Sequence, residues 1–337
     1  GNSGTTMLLA LGAAALLREG IAVLEGDEQV NRRPCGQLEQ ALNALGASVE
    51  STRANGCPPY VVRGGLRGGR ATVEGITSQY VSSLLINCPL AEEDTHLDVP
   101  LLNEKPYVGM TLRWLEQQGV KVSHADDYRE FHIPGGQRYQ PVRGAIPGDF
   151  SSATFFLAAG AMGDNDILCR GLDLADTQGD KAVVEYLRAM GAKIEVTPEG
   201  IRVSGQGLQG CEIDLNATPD ALPMMSVVAC FARGTTRLVN VPQARLKETD
   251  RIAVMRQELE KLGAKITELP DGLVIEESQL VAGPVEGHGD HRVVMSLAIA
   301  GSMLPASTTI EGYEAVNITY PGFADAMRQL GGHAVVR

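Results

Sequence analysis

The chain has 337 residues, 44% apolar and 21% charged, which suits a soluble globular protein of two domains, each large enough to bury most of its apolar surface. A formal charge of -12 excludes a broad nucleic-acid or anionic-membrane footprint, because phosphate backbones are met by clustered Lys and Arg. The longest uninterrupted apolar run, Met7 to Leu17, is 11 residues, well short of the roughly 20 that cross a bilayer. Six cysteines without a C-x-x-C pair suit reduced core thiols, and the expected compartment is the cytoplasm.

Two kinds of helix alternate along the chain. Nearly all-apolar helices are predicted to open near Gly4, Ser78, Ser152, Ala221 and His291, at intervals of 74, 74, 69 and 70 residues. Amphipathic helices are predicted to close on glycine C-caps at Gly46, Gly119, Gly191, Gly263 and Gly331, at intervals of 73, 72, 72 and 68. Short β-branched runs lie between them, such as Pro59 to Val62, Ile201 to Val203 and Leu273 to Ile275. Two independent markers thus keep one period of about 72 residues, an α/β repeat with two helices and several strands. A Gly- and Pro-rich link at 144–148 divides the chain into an N-terminal domain, 1–146, with about two helix-pair units, and a C-terminal domain, 147–337, with three. Because the first amphipathic helix closes already at residue 46, the repeat predicts that most of a further unit would lie upstream in a domain matching the second.

The apolar helices are expected to be buried on all sides. Each opens with polar or small residues: Asn2-Ser3-Gly4-Thr5-Thr6, Thr77-Ser78-Gln79, Asp149-Phe150-Ser151-Ser152, Pro219-Asp220 and Asp290-His291-Arg292. Ordinary capping accounts for the Ser, Thr and Asp positions, with Ser151-Ser152 read as caps. Capping does not account for cations at the positive end of a helix dipole, an arrangement that favours a bound anion. The same tension is sharpest in Arg245-Leu246-Lys247-Glu248-Thr249-Asp250-Arg251, which precedes an amphipathic helix with Ile252, Met255, Leu259 and Leu262 on its apolar face. With Lys247 in the first turn, Arg251 would lie one turn on, two like charges on one face that an anion between them would reconcile. The competing reading is a solvated cap in which Glu248 and Asp250 neutralise the cations.

Other motifs reduce to simpler readings. Gly205 to Gly210 satisfies G-x-G-x-x-G but leads into the strand-like Cys211 to Leu215, whereas the dinucleotide fingerprint opens a helix. Glu286 to His291 fits no standard metal-ligand spacing. Asp126-Asp127 and Glu92-Glu93-Asp94 read as solvated loop charges, and His96, His124, His132 and His333 have no recognisable partners.

Taken together, the helix openings resemble those of the 5-enolpyruvylshikimate-3-phosphate synthases, colinearly over the whole chain. Gly1-Asn2-Ser3-Gly4-Thr5 is similar to the family's first signature and Arg245 to Arg251 to its second; Arg33-Pro34, Thr77-Ser78-Gln79, Lys105-Pro106-Tyr107, Pro219-Asp220 and Asp290-His291-Arg292 fall at matching places. The resemblance implies a two-domain enolpyruvyl transferase fold of repeated βαβαββ units closing on substrates between the domains. It implies enolpyruvyl transfer from phosphoenolpyruvate to the 5-hydroxyl of shikimate 3-phosphate in aromatic amino acid biosynthesis, without metal or organic cofactor. Phosphoenolpyruvate is then expected at Gly4, Arg33, Gln79, Arg251 and Arg292. Shikimate 3-phosphate is expected at Thr77, Ser78, Gln79, Tyr107, Asp220, Gln243 and Lys247. Asp220 is expected to be the base on the acceptor hydroxyl, with Glu248 or Lys247 delivering a proton to C3. A Glu248 lying among substrate anions would have a raised pKa suited to that role.

Four departures from the family pattern qualify these expectations. A Gly-Ser-Lys-Ser segment whose lysine contacts both substrates would lie upstream of Gly1, and without it turnover by these 337 residues is expected to be negligible, with association through an apolar face near Met7 to Leu17 or Arg33 to Leu45. Leu8 stands where an Arg is usual, and Ile318 where some members have Lys. Glu104 stands where a Ser usually receives the shikimate phosphate, and its carboxylate would repel that ligand unless turned away. The alternatives are a different acceptor, the related UDP-N-acetylglucosamine enolpyruvyl transfer, against which Lys247 to Arg251 argues, and a non-catalytic partial chain.

Overall fold

A computed structural model describes residues 1–336. The chain divides into two compact units, Gly1–Ala145 and Ile146–Arg337. In the first, α1 (Gly4–Ala14), β1 (Ala22–Leu24), α2 (Gly36–Ala44), β2 (Ser48–Ser51) and β3 (Tyr60–Gly64) lead into β4 (Gly69–Thr72), α3 (Ser78–Asn87), β5 (Thr95–Asp98), α4 (Lys105–Gln117), β6 (Ser123–His124) and β7 (Glu130–Ile133). The first three strands form an antiparallel sheet in the order β1-β3-β2; the other four are ordered β4-β5-β7-β6, with β4 and β5 parallel.

The second unit repeats the pattern. Its elements are α5 (Phe150–Ala161), β8 (Asp166–Arg170), α6 (Ala182–Ala189), β9 (Lys193–Thr197), β10 (Gly200–Ser204), β11 (Glu212–Asp214), α7 (Leu222–Cys230) and β12 (Thr235–Val239). After them come α8 (Arg251–Lys261), β13 (Lys265–Leu269), β14 (Gly272–Glu276), β15 (Pro284–Glu286), α9 (His291–Ser302), β16 (Thr309–Glu311) and α10 (Phe323–Gln329). Strands β11 to β14 take the order β11-β12-β14-β13 with only the first pair parallel, the same arrangement as β4 to β7. Strands β8 to β10 repeat β1 to β3 in the order β8-β10-β9. Each four-stranded sheet with its two helices is therefore one βαβαββ unit, and the parallel pair in each needs a helix crossover because a tight turn cannot join parallel strands.

All five glycines expected to close amphipathic helices take positive φ, at 97° for Gly46, 74° for Gly119, 96° for Gly191, 91° for Gly263 and 92° for Gly331, the left-handed geometry that ends a helix without a Cβ penalty. The apolar helices behave less uniformly. Every residue of α7 is buried, and α7 packs on α5, α8 and α9. By contrast α1 leaves Thr5, Thr6 and Ala13 exposed, so the expectation of burial on all sides fails there. The helix packs on α3 and the first sheet, and its Leu8 and Leu11 sit in the core of that unit. No helix among the described residues is long and apolar enough to cross a membrane. The G-x-G-x-x-G stretch lies between β10 and β11, outside any helix.

Candidate active site

The second unit gathers charge at the openings of its helices. Arg251 is the first residue of α8 and only 1% exposed, the largest fully buried side chain of the described residues. Its guanidinium donates to Asp220 Oδ1 at 2.7 Å, to Glu248 Oε2 at 2.6 Å, and to Asp290 Oδ2 at 2.7 Å through Nε. Asp220 comes from the 3-10 turn Pro219–Ala221 ahead of α7, and Asp290 is the N-cap of α9. On Asp220, partly buried with 24% of its side chain exposed, Lys247 Nζ stands 3.6 Å from Oδ1 and Arg292 Nη2 3.2 Å from Oδ2. Three cations, Lys247, Arg251 and Arg292, thereby meet three carboxylates, Asp220, Glu248 and Asp290. Desolvating that many charges is offset only by such pairing.

Electrostatics follow from the pairing. Burial alone would raise the Asp220 carboxyl, but Arg292, then Lys247 and Arg251, hold it well below the usual carboxylate range. His291, 5% exposed at the start of α9, is pushed down to about 4 by burial, with the Arg292 and Arg251 charges adding to it. The imidazole is therefore neutral at neutral pH, and its buried Nδ1 has no hydrogen-bond partner among the described residues.

Several expectations need correction. Lys247 is not in a first helical turn: α8 begins at Arg251, and residues 242–246 form a 3-10 turn that ends in an extended Lys247. The two cations meet at Asp220 instead of along a helix face. Asp250 does cap α8, accepting from Ala253 N at 3.1 Å, and pairs with Arg245 at 2.6 Å. Arg245 also holds Glu268 and the carbonyls of Leu269 and Pro270, which makes it a fastener of the loop. The solvated-cap reading thus fits Asp250 and fails for the buried Arg251. Glu248 Oε2 pairs with the Arg251 guanidinium at 2.6 Å. Ser151-Ser152 are not the caps of α5; Asp149 is, accepting from both amides. Ser151 Oγ, freed from that role, accepts from Arg292 Nη2 at 2.8 Å.

Gln243 is buried and donates to the Asn216 carbonyl at 2.9 Å. Of the histidines expected to lack partners, His132 bonds Asp94 at 3.2 Å and lies tilted against His96 with ring centroids 4.5 Å apart, while His124 meets the Tyr128 edge. Asp94, which also accepts from Gly135 N at 3.0 Å, is a loop fastener and not merely a solvated charge.

In the first unit the expected residues fall into two groups at helix openings. Gly4 opens α1, and a Cβ there would collide with the Arg33 guanidinium, so the glycine is what allows Arg33 to lie against the helix mouth. Tyr80 of α3 donates its hydroxyl to the Pro34 carbonyl and anchors the turn that carries Arg33. Gln79 Nε2 donates to Thr5 Oγ1 at 2.9 Å, tying α3 to α1. In the second group Thr77 caps α3, and Glu104 Oε2 accepts from Thr77 Oγ1 at 3.1 Å, Ser78 N at 3.1 Å and Ser78 Oγ at 2.8 Å. Glu104 is not turned away from these donors; it occupies them. Tyr107, partly buried, lies in the first turn of α4.

Sequence reasoning missed Asp290 as a charge partner and Ser151 as a guanidinium acceptor. The signal for both was present as an acidic N-cap ahead of an apolar helix at Asp149 and Asp290, but caps explain themselves locally and gave no reason to look further.

Chemically, the second-unit cluster offers guanidinium and ammonium groups to an anionic ligand and an ionised carboxylate to a proton. Residues 1–327 match the family described as EPSP synthase (3-phosphoshikimate 1-carboxyvinyltransferase). A 3-phosphoshikimate 1-carboxyvinyltransferase of Ruminiclostridium cellulolyticum is 52% identical over 332 residues, covering 98% of this chain and 78% of that protein. Another, of Acetivibrio thermocellus, is 53% identical over 331 residues with the same coverage. Among solved structures, the EPSP synthase of Acinetobacter baumannii superposes with a TM-score of 0.80 at 27% identity, over 98% of this chain and 77% of that one. With its repeated βαβαββ units and this match along nearly its whole length, the chain belongs to the EPSP synthase family.

Proposed function

We propose that this chain transfers the enolpyruvyl group of phosphoenolpyruvate to the 5-hydroxyl of shikimate 3-phosphate and releases phosphate. The convergence of Arg251, Arg292 and Lys247 on the partly exposed Asp220 carries this reading. Guanidinium forks grip carboxylate and phosphate at two points and so fix a reacting geometry. Arg251 and Arg292 are assigned to the donor in the second unit, and Gly4, Arg33 and Gln79 in the first. Thr77, Ser78, Gln79 and Tyr107, with Asp220, Gln243 and Lys247, are assigned to the acceptor.

In the reaction the acceptor oxygen bonds to C2 of the enolpyruvate and C3 takes a proton. The C2–O bond to phosphate then breaks, C3 returns a proton and the double bond reforms. Asp220 takes the hydroxyl proton in the first step. Its carboxyl is a weak base while Arg292, Lys247 and Arg251 surround it. As the donor's own anions draw off those cations, Asp220 becomes a stronger base at the moment it is needed. Lys247 presents an ammonium beside Asp220 and Glu248 a carboxyl against Arg251. Proton delivery to C3 is assigned to Lys247 or Glu248.

Replacing Asp220 by Asn tests the reading. Measured against a parent with measurable turnover, product formation should fall about a thousandfold, while calorimetric affinity for phosphoenolpyruvate should hold or tighten, because Asp220 competes with the donor for the same cations. Near-parental turnover by Asp220→Asn would remove the base assignment. The six free thiols support a reducing cytoplasm, to be checked by cell fractionation. The apolar residues Leu8, Leu11, Leu38, Leu42 and Leu45 of the faces expected to associate are buried, and self-association is instead supported by the exposed Ile21, just before β1, and Val23 on it, which light scattering on Val23→Lys would detect as a loss of mass.

A further inference from the structure

We infer that Glu104 is a resident competitor for the acceptor's phosphate and sets how strongly this chain discriminates in its favour. The inference rests on the assignment of Thr77 and Ser78 to that phosphate. Three donors at the opening of α3, the Thr77 hydroxyl, the Ser78 amide and the Ser78 hydroxyl, converge on the one oxygen Oε2 of Glu104 at 2.8–3.1 Å. The positive end of the helix dipole adds to their pull on an anion. Glu104 itself is 2% exposed, so its charge is committed to these donors and not shared with bulk solvent.

The position of Glu104 in the chain makes this arrangement unusual. By sequence it is the N-cap of α4, yet its side chain makes no cap to that helix. Its backbone sits in the left-handed region at φ 56°, ψ 38°, where a non-glycine residue is held only by surrounding structure. That structure is visible. Gly75 N donates to Leu101 O at 2.8 Å, Asn103 N to Gly75 O at 2.9 Å and Asn103 Nδ2 to Ile76 O at 3.1 Å, fastening the loop before α4 to the loop before α3. A Cβ at Gly75 would stand 2.7 Å from Leu102 Cδ1, so the glycine permits the close approach. With the backbone pinned, the part of Glu104 left to move is its side chain.

A phosphate monoester presents strong acceptor oxygens to the same donors, and it reaches them only when the carboxylate swings away. Two anions on three shared donors repel. Glu104 therefore taxes the phosphorylated acceptor at each binding event and leaves its unphosphorylated counterpart nearly untouched. It is a specificity-determining residue that acts by competition, and the tax falls on acceptor affinity without touching the donor.

The test is calorimetric titration of the full chain with shikimate 3-phosphate and, separately, with shikimate. Glu104→Ser should tighten shikimate 3-phosphate at least tenfold while changing shikimate less than threefold. Glu104→Gln, which keeps the shape and removes the charge, should shift the phosphorylated ligand in the same direction by less. Adding Thr77→Val or Ser78→Ala to Glu104→Ser should reverse the gain. If neither Glu104 variant binds shikimate 3-phosphate more tightly, the competition is refuted while the donor-site reading stands. Equal tightening of both ligands would also refute it, since charge would not be the cause. If Thr77→Val and Ser78→Ala leave the Glu104→Ser affinity unchanged, the phosphate does not bind there, and the acceptor assignment falls together with this inference.

Discussion

In the second unit Arg251 spreads its guanidinium over Asp220, Glu248 and Asp290, while in the first unit Thr77 and Ser78 direct three uncharged donors at one oxygen of Glu104. Both are anion-facing groups at helix openings, and both are already satisfied by carboxylates of the chain. They differ in what happens when the carboxylate is lost. A buried guanidinium without partners is among the costliest groups a fold can carry, whereas an uncharged hydroxyl or helix amide left without its acceptor costs about 1–3 kcal/mol even when buried. The charged cluster is therefore restrained more tightly than the neutral one. An incoming anion can replace a partner in either place, at very different cost to the fold.

Removing one member from each side sharpens that contrast. Arg251→Met strands the carboxylates of Asp290 and Glu248, the first of them fully buried, and should cost about 3–5 kcal/mol in urea unfolding. Thr77→Val, which takes one neutral donor from Glu104, should cost about 1 kcal/mol by the same measurement. Comparable losses for the two variants would break the comparison.

Acid should also act unequally on two groups of the charged cluster. The His291 pKa in the folded chain is about 4, below its unfolded value of about 6.5. Between those values the unfolded chain binds a proton that the native state refuses, so stability is lost as pH falls from about 6.5 towards about 4, by about 3 kcal/mol in all. His291→Gln should flatten unfolding free energy across that window. The depressed Asp220 carboxyl contributes stability that is present above about 3.8 and lost only below it, so the two slopes separate. A parental slope retained in His291→Gln would assign the effect elsewhere.

The smallest change expected is at Gly4. A methyl there must push the flexible end of Arg33 aside, which should move stability by no more than about 1 kcal/mol while weakening phosphoenolpyruvate measurably in calorimetry. Unchanged donor affinity in Gly4→Ala would show that Arg33 does not need the helix mouth.

How much of this was legible beforehand varies by residue. The period, the alternation of apolar and amphipathic helices and the five glycine stops could be read directly, because a helix end and an apolar stripe are local properties that side chains specify within a turn or two. The family signatures likewise placed Asp220, Lys247, Arg251 and Arg292 on the same short list. Legibility stopped where a side chain's partner lies far along the chain. Nothing near Arg251 in sequence indicates that Asp220 and Asp290, 31 and 39 residues away, complete its pairing. Ser151 meets Arg292 across 141 residues, and Glu104 meets Ser78 across 26.

What the sequence by itself determined, then, was the set of elements, their order, and which residues carry charge at helix openings. Tertiary structure alone decided which charges neutralise one another, that Lys247 lies outside its helix, and that Glu104 turns from its own helix to the opening of another. The physical reason is one of range. Capping and periodicity act over a few residues of backbone, while the choice of an ion partner is made by burial, which excludes water and forces each charge to find whatever opposite group the packed helices bring within about 3 Å.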